Sequence, residues 1–391
     1  MRHPSTVADH DERRRTARLR ETRPGRQWKT LRRTRLLLLR LALIPTVVAV
    51  LFAQYWTHDI VPEQVRLSRT RPAVLQIADP ATPQLADTAV FDLTGLGTLD
   101  ASDTARALPA LTHLGSVWAV RYDNSGIDTE VISDLIVDAS TAADIDNIVL
   151  VGHSMGGVIA LEIAKHIYTG SHKTLRAVIL DCTPLDLNAV RRESRDQAEE
   201  LLRWAGWLPG ARESRTLRLS VEMYARRTEF IDYSSVPPGI RTARFFSALD
   251  WVLRRKILSP DAASNDLIEA QFKTIVAGGA ASDLRALAKR RPGTTRPAIV
   301  FIRPHNPARD PVVDDTYSHD VLIDLVGGIH GTLLVVLTRH TGHADPRRHP
   351  AEYNAVIEQQ IVPFIRLVGR EERAELAAAV RQPPNGRPPA K

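Results

Sequence analysis

The 391 residues include one cysteine, Cys182, and three methionines. A single cysteine forbids an internal disulfide, so cysteine usage leaves the redox compartment open. No C-x-x-C and no H-E-x-x-H pattern occurs, so the common thiol-redox and zinc sites have no support, and neither a metal nor a cofactor is expected. The body of the chain also lacks a basic face. The net charge of +7 is local: residues 1–35 hold twelve Arg or Lys and four Asp or Glu, a net of +8, so the remainder sums to −1. A near-neutral body gives no argument for nucleic acid as a partner.

The basic excess ends where an apolar run begins. Residues 36–56, LLLLRLALIPTVVAVLFAQYW, carry one charge, Arg40. About 20 apolar residues cross a bilayer as a helix. Arg40 lies near the start of the run and can snorkel, Pro45 is tolerated in such helices, and Tyr55 and Trp56 stand where interface aromatics belong. The Arg-dense leader should stay in the cytoplasm, which puts the body of a single-pass protein outside. Two other readings compete. One is a cleaved signal peptide with Val47-Val48-Ala49 at the cleavage site and a secreted body, although the leader is long for that. The other is a buried helix, against which the charged leader and the lack of amphipathic spacing argue.

The stretch 147–164, NIVLVGHSMGGVIALEIA, holds the clearest chemical signal. NIVLV is short and β-branched, as suits a buried strand, and apolar residues at 158, 161 and 164 suit a helix packed on a sheet, with Gly170 as a C-cap. Between them Gly152-x-Ser154-x-Gly156 fits a nucleophile elbow, a turn too tight for side chains at its flanks that lifts the serine hydroxyl above the strand end. The helix N-terminus favours negative charge developing there. His153 reads as structural or as shaping the pocket. With these residues, VLVGHSMGG resembles the α/β-hydrolase superfamily, and the resemblance extends more weakly over residues 70–368.

The rest of the body is consistent with that fold. Strand-like runs at 72–78, 88–95, 116–123, 175–182, 297–304 and 331–339 alternate with helical patterns at 129–143, 314–326 and 350–368. The alternation predicts a mostly parallel sheet with helices on both faces. Residues 187–295 break the rhythm with a charged, helix-rich block that includes Trp204, Trp207 and Trp251, too long for a loop. The resemblance implies a helical cap over the site; a separate accessory domain is the other reading. The expected organisation is a basic tail (1–35), a transmembrane helix (36–56), a hydrolase core in two parts (57–186 and 296–368) around the cap (187–295), and a charged, Pro-rich tail (369–391) disordered at its end.

A serine needs a base, and the base needs an orienting group. In this family the chain order is Ser, acid, His. Asp310-Pro-Val-Val resembles the family's acid loop, with Asp314 and Asp315 as close rivals and Asp181, at an earlier strand end, as another. Four histidines crowd the end: His330, His340, His343 and His349. Gly342-His343 before a proline-started helix resembles the family's histidine loop, with His340 as its rival. The implied oxyanion hole takes backbone N–H groups from Met155 and from Leu96, although Thr94-Gly95 stands where the family usually has His-Gly. A second departure is RYDNSGID (121–128), where the family more often has D-x-x-G-x-G. The expected activity is that of a membrane-anchored serine hydrolase acting on a small-molecule or lipid ester or thioester. An acyltransferase with the same triad and a non-catalytic hydrolase-like binding protein are the alternatives.

Overall fold

The computed structural model describes residues 15, 17–18, 23–196, 199, 209–234, 237–259, 262–329 and 331–381. The chain divides into two compact units, residues 1–62 and 63–391. The first is dominated by helix α1, Arg23–Tyr55, which keeps its helical course through Pro45. The helical path runs on through a π-type turn, Trp56–Ile60. The stretch Thr30–Leu67 is long and apolar enough to cross a membrane by length and composition, a test that a signal sequence near an N-terminus also passes. Leu36, Leu39, Leu43, Ile44, Val48 and Leu51 are all exposed among the described residues.

The second unit is built on seven strands: β1 (Ala73–Ala78), β2 (Thr88–Leu93), β3 (Ser116–Arg121), β4 (Asn147–His153), β5 (Thr174–Asp181), β6 (Ala298–Pro304) and β7 (Leu333–Thr338). Their spatial order is β1-β3-β2-β4-β5-β6-β7, with β1 antiparallel to β3 and every other pairing parallel. All seven strands lie where the sequence pattern put them. In β4 the side chains alternate between two cores. Ile148 and Leu150 join a cluster with Phe91, Leu180 and Phe301, while Val149 and Val151 join one with Val117, Ile179 and Val300. A strand buried on both faces has no polar side to show, so it reads as a continuous apolar run.

Helices cover both faces. On the first core lie α2 (Thr129–Ala142), α3 (Met155–Gly170) and, in the order of the chain, helices introduced below. Helix α3 buries Ile159, Leu161 and Ile163 completely, each stabilising by about 1.5–3 kcal/mol. It runs through Gly170, which does not act as a cap. Ser171 ends the helix instead, with its N–H and its Oγ both donating to the Ile167 carbonyl, so no left-handed glycine is required.

Between β5 and β6, which are neighbours in the sheet, the chain makes a detour through α4 (Arg215–Ala225), α5 (Thr242–Val252), α6 (Asn265–Ala277) and α7 (Ala280–Ala288). Ser214 and Ser264 cap α4 and α6 through their Oγ atoms. Leu267, Ile275 and Leu284 pack into the first core, so α6 and α7 belong to the main body of the fold. Trp204 and Trp207 lie outside the described residues. Helix α8 (Asp315–Val326) also packs on the first core; α9 (Pro350–Val356) and α10 (Val362–Arg381) cover the second. The Pro-rich end, 382–391, lies outside the described residues.

The strand order reverses between β2 and β4: β2 leads outward to β3, while β4 leads the other way to β5. In parallel sheets, a crevice opens at the carboxyl ends of strands at such a point. The loops after β2 and β4 are therefore the place to look for chemistry.

Candidate active site

The loop after β4 carries Ser154, with φ 55° and ψ −124°, a strained conformation for a residue with a side chain. Close approach of backbone holds it there. A Cβ on Gly152 would lie 2.4 Å from Gly157 Cα, and one on Gly156 would lie 2.5 Å from the carbonyl oxygens of Leu93 and Thr94. Only glycine fits at these places, which gives the sequence pattern a steric cause. The serine N–H donates to Asp181 O at 2.7 Å, tying the turn to the end of β5.

Two side chains from other loops meet this hydroxyl. His343 Nε2 lies 2.7 Å from Ser154 Oγ, and His343 Nδ1 lies 2.7 Å from Asp310 Oδ2. Asp310 Oδ1 accepts from the N–H groups of Val312 and Val313, both at 2.8 Å. Burial alone would raise the Asp310 carboxyl. The hydrogen bond and charge of His343, with the two backbone donors, outweigh burial and hold it below the usual carboxylate range. Arg191 fixes the same loop from outside, with Nε donating to Asp310 O at 2.7 Å and a terminal nitrogen to Pro307 O at 2.9 Å. Nothing in the sequence around Arg191 marks that role.

The rival residues have other partners. Asp314 caps α8, accepting from Thr316 N and Tyr317 N. Asp315 is fully buried, and burial followed by the charge of Asp310 pushes its carboxyl up to about 8. Asp181 is engaged by His153 Nδ1 at 2.8 Å and Tyr353 Oη at 3.0 Å. His340 is exposed, with its backbone N–H donating to Glu352; His349 precedes α9; His330 lies outside the described residues.

His153 is the larger surprise. Its Nε2 stands 3.0 Å from Asp92 Oδ1, an ionic contact outside aligned hydrogen-bond geometry. The ring is thus clamped between Asp92 and Asp181 under the elbow. Burial would lower its pKa, but the nearby Asp92 charge and the hydrogen bond to Asp181 push it up to about 10. It is an imidazolium at neutral pH. The sequence reading of His153 as structural agrees with this placement, but a local pattern could not reveal carboxylates contributed by β2 and β5.

The loop after β2 lies against Ser154. A Cβ on Gly95 would sit 3.2 Å from Ser154 Cβ, and Tyr122 Oη donates to Thr94 O at 3.0 Å. Leu96 follows directly, while Met155 opens α3, where first-turn N–H groups have no partner within the helix. Gln271 of α6, fully buried, pins the far side of this loop: its Oε1 accepts from Gly97 N at 2.8 Å and its Nε2 donates to Thr98 O at 3.0 Å. The detour between β5 and β6 therefore helps to hold this loop. Trp251 stands elsewhere, under the Arg226 guanidinium at 3.8 Å, in a recess of about 400 Å³ shared with Glu229, Arg244 and Ser247 and lined by no residue of the Ser154 cluster.

A serine on a strained strand–helix turn, backed by a histidine and a buried carboxylate in the order Ser, Asp, His, defines a class of site on this kind of sheet. The chain belongs to the α/β hydrolase family, whose profile matches residues 53–356. No curated protein matches it. Among solved structures it is similar to an esterase from Exiguobacterium antarcticum (14% identity, TM-score 0.47, 76% of this chain and 96% of that one). It is also similar to a monoacylglycerol lipase from Paleococcus ferrophilus (13%, 0.45, 76% and 99%). A third is a meta-cleavage product hydrolase from Pseudomonas fluorescens (15%, 0.42, 76% and 94%).

Proposed function

We propose that the protein is a membrane-anchored serine hydrolase that cleaves a carboxylic ester or thioester through an acyl-enzyme on Ser154. The observation that carries this reading is the continuous relay of two 2.7 Å contacts, Ser154 Oγ to His343 to Asp310. Ser154 Oγ attacks the carbonyl carbon while His343 Nε2 takes its proton. Asp310 holds the ring in the tautomer that presents Nε2 as the acceptor and stabilises the cation that forms. The N–H groups of Met155 and Leu96 receive the charge on the carbonyl oxygen, aided by the N-terminus of α3. His343 returns the proton to the leaving alcohol or thiol. It then takes one from water, whose oxygen attacks the acyl carbon, and gives it to Ser154 Oγ as the bond between that oxygen and the acyl carbon breaks.

In this reading α4 and α5 of the detour act as the cap, seated on α6 and α7, and α1 holds the body at the outer face of a membrane, within reach of lipid esters. The net +8 of residues 1–35, against two acids and no Arg or Lys in THDIVPEQ (57–64), supports an inward N-terminus. A fluorophosphonate probe should label the protein, and Ser154→Ala should abolish both labelling and ester turnover with the fold intact. Turnover surviving in that variant would overturn the mechanism. Protease added to spheroplasts should remove the body and spare a tag at residue 1; a protected body would overturn the topology.

A further inference from the structure

Cys182 has no part in the proposed reaction, yet it borders the residues that do. It follows β5 directly, takes a φ of 45°, is buried, and has its Sγ 3.7 Å from Gly342 O, the residue before His343. The sulfur, a carboxylate oxygen of Asp310 and a ring nitrogen of His343 all lie within 4.8 Å of one another. We propose that Cys182, Asp310 and His343 form a three-ligand site for a thiophilic divalent cation, zinc or cadmium, whose occupation switches the hydrolase off.

The ligand chemistry matches. Thiolate, imidazole and carboxylate are the donors zinc takes, and a site with three protein ligands leaves a fourth position for water. With metal–ligand bonds of about 2.0–2.3 Å, donors in a tetrahedron stand roughly 3.3–3.7 Å apart. The trio must therefore close by about 1 Å at its widest, and open where His343 and Asp310 now meet at 2.7 Å. Carboxylates surround the sulfur: Asp181 adjoins Cys182 in the chain, and the charges of Asp181, Asp315 and Asp310 all act on its thiol. On binding, the thiol proton passes to solvent, the His343 proton moves from Nδ1 to Nε2, and nothing is oxidised. The cation then occupies the place of the hydrogen bond that orients the base, so His343 can no longer serve Ser154. The three ligands come from loops after β5, β6 and β7, far apart in sequence, so no spacing motif announces them.

The inhibitory half of this inference rests on the proposed function, whereas the binding half does not. The test uses the full chain in detergent and cadmium alone. Because Cys182 is the one cysteine in the sequence, a cadmium–thiolate charge-transfer band in the near ultraviolet belongs to it. That band should appear, and zinc should inhibit ester turnover reversibly, restored by a chelator. In Cys182→Ala the band should vanish and zinc inhibition should weaken by about tenfold or more. Absence of the band, or equal zinc sensitivity in Cys182→Ala, would overturn the proposal. Should Cys182→Ala fail to fold, His343→Ala decides: cadmium affinity read from the band should fall about tenfold, and unchanged affinity rejects the site. A band without ester turnover on any substrate would uphold the metal site and count against the hydrolase reading instead.

Discussion

Two histidines flank the same serine, each with its Nδ1 on a carboxylate, and they differ in what surrounds the rest of the ring. His343 meets Asp310 at 2.7 Å, and His153 meets Asp181 at 2.8 Å. The difference is at the other nitrogen. For His343 it faces Ser154 Oγ; for His153 it faces a second carboxylate, Asp92. His343 keeps about a fifth of its side chain exposed, while His153 keeps almost none. A histidine held between two carboxylates is already charged and cannot accept a proton. A histidine with one carboxylate behind it and a hydroxyl in front can. In the proposed mechanism, the partner of the second nitrogen is what separates the base from the structural cation.

The largest effect expected from breaking this contrast is at the acids. Asp310→Asn should lower turnover by about 10⁴-fold, because an amide no longer fixes the tautomer of the base. Asp181→Asn should leave much of the turnover and cost stability instead. Steady-state kinetics beside thermal melting separates the two, and the reverse pattern would transfer the role of the acid to Asp181.

Next comes the structural cation. His153→Gln leaves Asp92 and Asp181 buried without the charge they share, and removing one partner of a buried pair costs about 3–5 kcal/mol. The pH dependence has a definite sign. His153 is raised from its usual value near 6.5 to about 10, so its contribution is fully present below about pH 6.5 and is lost as pH rises toward 10. Urea midpoints of the wild type should fall across that window, and those of His153→Gln should fall less. A variant with the same slope as the wild type would show that another group titrates there.

What the sequence made legible follows from how locally each feature is encoded. The seven strands could be read because a doubly covered sheet needs unbroken apolar runs, and the elbow because its glycines are demanded by backbone contacts within a few residues. Asp310 and His343 could be named only through the resemblance and the chain order. Their meeting at Ser154 depends on strand order, which no local pattern states. The clamp on His153, the brace of Arg191 on the acid loop and the grip of Gln271 on Gly97 and Thr98 were not legible at all. Each joins loops or helices more than twenty residues apart, and a lone Arg or Gln in a helical pattern looks like any solvated residue. Gly170 was misread because glycine near a helix end usually signals a left-handed cap, whereas Ser171 supplies the closing hydrogen bonds here.

The smallest effect sharpens the comparison at the acid itself. Asp315, the first residue of α8, is buried beside Asp310, and burial followed by that neighbouring charge raises its carboxyl to about 8. Two carboxylates so placed do not both ionise readily, so at neutral pH Asp310 carries the charge and Asp315 the proton. In the unfolded chain Asp315 would release that proton near pH 3.9. Between about pH 4 and 8 the folded state therefore binds more protons than the unfolded one, and stability falls as pH rises through that range. Asp315→Asn preserves the shape and cannot ionise, so the fall should shrink while turnover at neutral pH changes by less than about tenfold. Melting curves across this range, with a single-pH rate, read both. A loss of turnover as deep as that of Asp310→Asn would mean that the charge resides on Asp315 and that His343 takes its orientation from the pair.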